Sequence, residues 1–206
     1  MLGVAEGKLR NHAAEREAFS AALAHEWDPE MRASIISNRA ESTMASGRLA
    51  LAIQDYRLAL SESRSALTQA LALWGLAVAT ERDGDLPRAL ELARRASSFR
   101  FGPQSHVVVA IDLPAVYFTP EYEKNYYRAL AVMAEADVEK DRDHARVLLQ
   151  TASRLWSLYL DNAERDGERW VDHARAARDA CRSKLAKLDR ERSEDARRSE
   201  SGRDED

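Results

Sequence analysis

The sequence predicts an all-α protein made of antiparallel helix hairpins, and three observations lead to this fold class. First, Ala, Arg, Leu and Glu dominate a chain that has only 8 glycines and 5 prolines, which is typical of helical proteins. Second, apolar residues recur every three or four positions along most of the chain. Third, the stretch 37–60 returns as a second copy at 74–96, and such a repeat of helix–turn–helix content predicts a helical solenoid.

The start of the chain reads as an earlier, decayed copy of the same unit. Residues 1–27 are predicted to form a short helix and then a longer one. In this copy Glu15 stands where the alanine of the later copies is expected, which departs from the pattern. Asp28 and Pro29 interrupt the chain, and Pro29 suits the first turn of the next helix.

Each of the two better copies predicts two helices that meet at a turn. The four helices span 30–46, 49–62, 66–82 and 86–97. Gly47 suits a left-handed helix cap, and Gly84 follows it by 37 residues. Three alanine pairs repeat at the same distance: Ala40 and Ala77, Ala52 and Ala89, and Ala59 and Ala96. Small residues at these positions allow the helices to approach closely.

The second half of the chain departs from this regularity. Residues 98–120 hold Pro103, Pro114 and Pro120 and an apolar run that could be extended, so they predict an irregular insertion that must bury its side chains. Whether this insertion fills a groove or belongs to the core is left open. Further elements are a degenerate helix pair over 121–162, a capping helix over 168–190 and a disordered tail over 189–206, in which 13 of 18 residues are charged.

These features resemble tetratricopeptide repeats. The matching residues are a small residue on the first helix (Ala40, Ala77), a glycine turn, and in the first copy two alanines that flank Tyr56 on the second helix. The second copy has Ala93 in place of this large residue. The resemblance implies a right-handed antiparallel helix-hairpin solenoid over 1–188, with its best units at 33–62 and 70–98.

The resemblance also implies a groove lined by the first helices of successive units, in which peptides or helices bind. The residues predicted to line this peptide-binding groove are Asn38, Glu41, Leu71, Trp74, Val78, Glu81, Tyr127 and Leu130. We expect a mostly apolar groove centred on Trp74, which serves either as a ligand anchor or as a core residue. Asn38 lies in the sequence SNRA, which looks like the same sequence in chaperone-binding tetratricopeptide proteins, where the asparagine helps to bind a C-terminal carboxylate. Such a carboxylate clamp needs lysines or arginines on the neighbouring first helices, and these are missing here.

The sequence offers no pattern for catalysis or a cofactor. None of the 5 histidines pairs with another at metal-ligand spacing, and no phosphate-binding or nucleophile motif occurs. Cys181 is the single cysteine. The net charge of −4 gives no general attraction to nucleic acid or membranes. We therefore expect no enzyme, metal or cofactor; an enzyme would need acids or histidines that converge in one pocket.

The predicted function is that of a protein–protein interaction adaptor, whose partner is another protein or a peptide segment. The alternative is a structural subunit of a homo-oligomer or of a larger assembly. Because no signal peptide and no run of about 18 apolar residues occurs, a cytoplasmic location is expected. The chain begins inside a predicted repeat, which leaves open that it is a fragment.

Overall fold

The computed structural model describes residues 2–99, 110–113, 116 and 118–201, and within these residues the protein is all-α, as predicted. The helices are α1 (Leu2–Lys8), α2 (His12–Leu23), α3 (Pro29–Ala45), α4 (Leu49–Glu62), α5 (Ala66–Arg82), α6 (Leu86–Ser97), α7 (Glu123–Ala136), α8 (Arg142–Asp166) and α9 (Val171–Ser201). A 3-10 turn, Ala110–Asp112, precedes α7.

Local sequence signals explain where the helices of the two best copies begin and end. The side chain of Asp28 accepts a hydrogen bond from the Met31 amide at 2.8 Å, and Pro29 follows it in the first turn of α3. Asp85 caps α6 in the same way. Gly47 and Gly84 have φ angles of 80° and 97°, so both turns use the left-handed conformation that glycine adopts without strain.

Consecutive helices pack against each other throughout the chain. α3 with α4, α5 with α6 and α7 with α8 form antiparallel pairs, and α5 also contacts both α3 and α7. The core therefore runs between the hairpins. The repeated alanines lie in it with almost no exposure: Ala40, Ala52, Ala59, Ala77, Ala89 and Ala96.

One contact fixes the junction between the first two good hairpins. Tyr56 of α4 packs against Gly75 of α5, and a Cβ atom at position 75 would overlap with the tyrosine ring. Glycine in a helix interior costs about 1 kcal/mol relative to alanine, so a close approach is the reason for it here. This junction brings Tyr56 to the face of α5 that carries Trp74.

The insertion is tied to α7 and to the core. Ala110 and Ile111 are buried, and the Asp112 carboxylate pairs with Arg128 at 2.6 Å and with Lys124 at 3.3 Å. The described part of the insertion is therefore packed structure. The extended run predicted over 106–112 lies mostly outside the described residues, and its last three residues form the 3-10 turn instead.

The end of the chain differs from the prediction. The capping helix was expected over 168–190 and a disordered tail over 189–206, but α9 continues to Ser201. The composition of the tail does not show that its charged side chains form ion pairs with oppositely charged side chains of α8. Asp189 pairs with Arg146 at 2.8 Å, and Asp195 pairs with Arg142 at 2.8 Å. The structure thus describes a helix up to Ser201 where a disordered tail was expected, and residues 202–206 lie outside the described residues.

No helix among the described residues is long and apolar enough to cross a membrane.

Candidate functional site

Polar and aromatic side chains together line a cavity of about 210 Å³, which we call the Glu41 pocket. Helices α3, α5 and α7 form its main walls, and α1, α2, α4 and the insertion close its sides. The residues that line it are Gly7, His12, Glu15, Ser34, Ser37, Asn38, Glu41, Ser42, Ala45, Tyr56, Thr68, Leu71, Trp74, Gly75, Ile111, Val116, Phe118, Thr119, Glu123 and Tyr127.

Helix α3 supplies the polar wall of the pocket. Its pocket residues follow at intervals of three and four, which places them on one face of the helix: Ser34, Ser37, Asn38, Glu41, Ser42 and Ala45. The opposite face of α3 carries Ile36, Ala40 and Met44 into the core. The sequence thus directs apolar residues to the packing face and short polar residues, with one carboxylate, to the cavity.

Aromatic rings form the other walls. Trp74 of α5 is only 1% exposed, and its ring borders the cavity beside Tyr56 of α4. Tyr127 of α7 and Phe118 of the insertion stack edge to face, with ring centroids 5.0 Å apart. The pocket therefore combines flat apolar surfaces with carboxylates, an arrangement that pure hydrophobic packing does not produce.

Glu41 lies where these walls meet. Its Oε2 atom accepts hydrogen bonds from the hydroxyls of Tyr56 at 2.6 Å and of Tyr127 at 3.0 Å. Its Oε1 atom has no hydrogen-bond partner among the described residues, and no Lys, Arg or His of this part of the chain lies within ion-pair distance. Glu41 is exposed to solvent through the pocket. One oxygen is thus held by the protein and the other is open to a ligand.

The protein that surrounds the Glu41 carboxyl disfavours its charge. Although Glu41 is open to the pocket, the surrounding protein desolvates its carboxyl group and raises its pKa above the usual value of 4.5, while the hydrogen bond from Tyr56 and the positive charge of Arg82 act in the opposite direction. The charged form of Glu41 is therefore less well compensated than that of a surface glutamate.

Glu123, the second carboxylate of the pocket, is already paired. Arg82 donates to its Oε2 atom at 2.7 Å, and the arginine side chain is only 2% exposed. The guanidinium lies 4.5 Å from the ring centroid of Tyr126 and 4.9 Å from that of Trp170. Burial is the largest single effect and lowers the pKa of Arg82, but the Glu123 carboxylate and the neighbouring tyrosines together raise it well above its usual value.

Glu81 and Glu15 are, with Glu123, the buried acids of this region. Glu81 accepts a hydrogen bond from the Tyr126 hydroxyl, and burial raises the pKa of its carboxyl above the usual value. The Oε2 atom of Glu15 lies 3.1 Å from the Nδ1 atom of His12, which is hydrogen-bond distance. Each of these carboxylates thus has a hydrogen-bond partner from its own chain, as the Oε2 atom of Glu41 has.

A second unsatisfied group belongs to the same pocket. The indole Nε1–H of Trp74 is buried and has no hydrogen-bond acceptor among the described residues. Buried donors without acceptors are rare because each costs about 1–3 kcal/mol. The indole nitrogen itself has almost no accessible surface, so of the two groups only the Glu41 oxygen is open to a ligand.

The structure brings together five of the eight residues predicted to line the groove. Asn38, Glu41, Leu71, Trp74 and Tyr127 all border the Glu41 pocket. The other three do not, since Val78, Glu81 and Leu130 are buried among the core residues. The reason is that α7 and the 3-10 turn pack over the C-terminal half of α5, as the hydrogen bond from Tyr126 to Glu81 shows.

Sequence reasoning missed Glu123 and Arg82, and it regarded Glu15 only as an irregularity. It also expected a mostly apolar groove, whereas three carboxylates border the pocket. One signal could have found Glu15 and Arg82: a charged residue on the apolar face of a helix needs a partner. Glu15 occupies a position that is alanine in both later copies, and Arg82 occupies the position of Ala45 in the copy before it.

The pocket does not resemble a metal centre. Among the described residues, no three His, Cys, Asp or Glu side chains are grouped so that they could hold a metal ion. Comparison with family models, with curated proteins and with solved structures finds no match for this chain. The resemblance to tetratricopeptide repeats therefore stays a prediction.

Proposed function

We propose that this protein is a non-catalytic binding module, a right-handed solenoid of the tetratricopeptide kind, which takes a segment of a partner protein into the Glu41 pocket. The observation that carries the proposal is the position of the pocket. It lies between the first helices of three consecutive hairpins, α3, α5 and α7, and its lining holds a carboxylate oxygen that the described residues leave open.

The size of the cavity restricts what can enter. Its volume of about 210 Å³ is below the range of roughly 300–1,000 Å³ that is usual for sites of drug-sized ligands. A side chain of a bound segment fits such a space, whereas a whole helix does not. The segment itself would then lie across the mouth of the pocket, beside the exposed Asn38 on α3.

One observation favours a second candidate function, an enzyme with Glu41 as a general acid. Three carboxylates and His12 converge on the pocket, and a carboxyl with a raised pKa is a common acid catalyst. Binding accounts better for the arrangement, because Glu15 and Glu123 are already engaged by His12 and Arg82. Acid–base chemistry needs a second group free to reach the reacting atoms.

The proposal is tested by filling the pocket. Ser37 is half-buried in its polar wall, and Ser37→Trp would occupy the cavity. We expect a random-peptide display library to yield peptides that bind the full chain and lose at least about tenfold in affinity for this variant. The matched control is Ser61→Trp, at an exposed position of α4 outside the pocket, which should bind them as the unaltered chain does.

Circular dichroism and thermal melting of both tryptophan variants would establish that they are folded. Peptides that bind Ser37→Trp and the unaltered chain equally would refute the pocket as the binding site. A library that yields no binder to the unaltered chain would count against a peptide-binding function altogether.

A further inference from the structure

We infer that the group that enters the Glu41 pocket is a cation, a primary ammonium or a guanidinium, supplied by a lysine or arginine side chain of the bound segment. This inference rests on the proposed function for the source of the cation, but the charge of the ligand follows from the pocket alone. Three independent features of the described residues support it: the sign of the lining, the open oxygen of Glu41, and an internal precedent at Arg82.

The lining of the pocket has carboxylates but neither lysine nor arginine. Arg82 pairs with Glu123, and His12 is the hydrogen-bond partner of Glu15, so among the described residues Glu41 is the carboxylate of the lining that has no basic side chain as a partner. An anionic ligand would be repelled by this side chain. A purely apolar ligand would remove water from it without supplying a partner, which costs several kcal/mol for a charged group. A cation is the ligand that compensates the carboxylate.

The geometry around this open oxygen fits the same ligand class. The Oε1 atom of Glu41 can accept a hydrogen bond from an N–H group, while the tyrosines hold Oε2 and thereby orient the carboxylate. The rings of Trp74, Tyr127 and Phe118 line the cavity and offer faces or edges to the stem and charge of a basic side chain. Both halves of a lysine or arginine side chain thus find a matching wall.

The chain itself contains a bound cation in equivalent surroundings. Arg82 pairs with Glu123 at 2.7 Å and lies over the rings of Tyr126 and Trp170, within 4.5 and 4.9 Å of their centroids. Glu41 has the same kind of environment, a carboxylate beside tyrosine and tryptophan rings, but among the described residues it has no cation. A ligand cation would complete there what Arg82 completes in the neighbouring cluster.

A peptide offers a contact that a simple amine lacks. The bound segment would pass the exposed side chain of Asn38 at the mouth of the pocket, and the amide of Asn38 can donate a hydrogen bond to a peptide carbonyl. An alkylammonium ion has no acceptor for this hydrogen bond.

The test uses four small probes on the full chain: N-acetyl-lysine methylamide, N-acetyl-arginine methylamide, the uncharged norleucine analogue, and n-butylammonium. NMR titration of the tryptophan indole N–H signals would report binding at the pocket. We expect the two basic amino-acid probes to bind, the norleucine probe to bind at least about tenfold more weakly, and n-butylammonium to bind more weakly than the lysine probe.

Glu41→Gln should reduce the affinity for the lysine probe by about tenfold or more, because it removes the charge and keeps the shape of the side chain. The matched control, Glu17→Gln, removes the same charge from an exposed position of α2 and should leave the affinity unchanged. Glu41→Asp is a second variant, which keeps the charge but has a side chain one methylene group shorter. If Glu41→Gln does not fold, a loss of affinity for the lysine probe in Glu41→Asp supports the contact with Glu41, and an unchanged affinity overturns it.

The outcomes separate this inference from the proposed function. Equal binding of norleucine and lysine probes, or no effect of Glu41→Gln, overturns the cation, while library peptides that Ser37→Trp excludes would still support a peptide-binding pocket. Binding of n-butylammonium as tight as that of the lysine probe overturns the peptide source. Glu41-dependent binding of the lysine probe without any library binder supports the cation and refutes the partner-protein function.

Discussion

Two neighbouring hairpins, α3 with α4 and α5 with α6, have the same alanines and turn glycines at a distance of 37 residues, but they differ on the faces that meet at the pocket. The pocket positions of α3 are polar: Ser34, Ser37, Asn38 and Glu41. The matching positions of α5 are Leu71, Trp74, Gly75 and Val78. In return, α5 has Glu81 and Arg82 where α3 has Met44 and Ala45.

This difference shows how a repeated framework acquires a site. The shared residues make the hairpin contacts, and all of these alanines are buried. The residues that differ are complementary between hairpins. Tyr56 of the first hairpin packs against Gly75 of the second. At the matching positions of the other hairpin the residues are Ala93 and Asn38. A large residue in one unit and a missing side chain in the next therefore place the Tyr56 hydroxyl at Glu41.

The largest effect is expected when Arg82 is replaced by the residue of the matching position, Arg82→Ala. The change leaves Glu123 buried without its cation and opens a void between Tyr126 and Trp170. Breaking a buried ion pair by removing one partner costs about 3–5 kcal/mol. We expect a loss of that size in the free energy of unfolding, measured by urea denaturation.

Two controls sharpen this prediction. Adding Glu123→Gln removes the orphaned charge, so the double variant should regain part of the lost stability. Arg88→Ala breaks an exposed pair with Glu91 on α6 and should change the free energy of unfolding by less than about 1 kcal/mol. Equal losses for Arg82→Ala and Arg88→Ala would contradict a structural role for the buried pair.

A smaller loss is expected for Gly75→Ala at the junction of the two hairpins. The added methyl group overlaps with the Tyr56 ring, and overpacking of this kind costs about 1–3 kcal/mol. Alanine gains about 1 kcal/mol in helix propensity over glycine, so the net change is a loss towards the upper end of that range. Thermal or urea unfolding measures the net change. In the background Tyr56→Ala the overlap disappears, so the same substitution should become neutral or stabilising.

A double-mutant cycle over these two positions isolates the contact. If Gly75→Ala costs the same with and without the tyrosine ring, the glycine has another role than making room for Tyr56.

The all-α fold was predictable because its signals are local and repeated. The spacing of the alanines and the glycines at 47 and 84 predicts the hairpins whatever surrounds them. The helical end of α9 was not predictable from composition, since its stability depends on which charges of α8 it meets. Arg146 and Asp189 are 43 residues apart in sequence, and only the packing of two long helices brings them together.

The site was predictable where it lies on a single regular helix. Asn38, Glu41 and Trp74 were predicted from the resemblance to tetratricopeptide repeats, which implies that the first helices of the units line a groove, and all three border the pocket. The third wall was harder, because the insertion interrupts the register before α7. Glu123 lies at the start of α7, next to this interruption, and its role depends on a partner 41 residues earlier, Arg82. A single-sequence pattern contains no information on such a pairing.

The smallest expected effects separate two carboxylates of the same helix, Glu30 and Glu41. Glu30 accepts hydrogen bonds from the Ser63 hydroxyl at 2.7 Å and from the Arg64 amide at 2.9 Å, and thereby ties the start of α3 to the connection after α4. Hydrogen bonds from the hydroxyls of Thr68 and Ser63 lower the pKa of Glu30 to about 2, whereas burial raises the pKa of Glu41. The two carboxyls should therefore affect stability in opposite directions as pH changes.

The lowered pKa means that the contribution of Glu30 to stability is present above pH 4.5 and is lost as pH falls towards 2. The raised pKa of Glu41 means the reverse: its contribution is present below pH 4.5 and is lost as pH rises through the higher value. The acid limb, which is the fall in the urea midpoint as pH decreases below 4.5, should be flatter in Glu30→Gln than in the unaltered chain. Glu41→Gln should reduce the fall in stability above pH 4.5. The reduction should be partial, because the pKa of Glu81 is raised as well and contributes to the same fall. An unchanged acid limb in Glu30→Gln would mean that these hydrogen bonds do not hold the connection in solution.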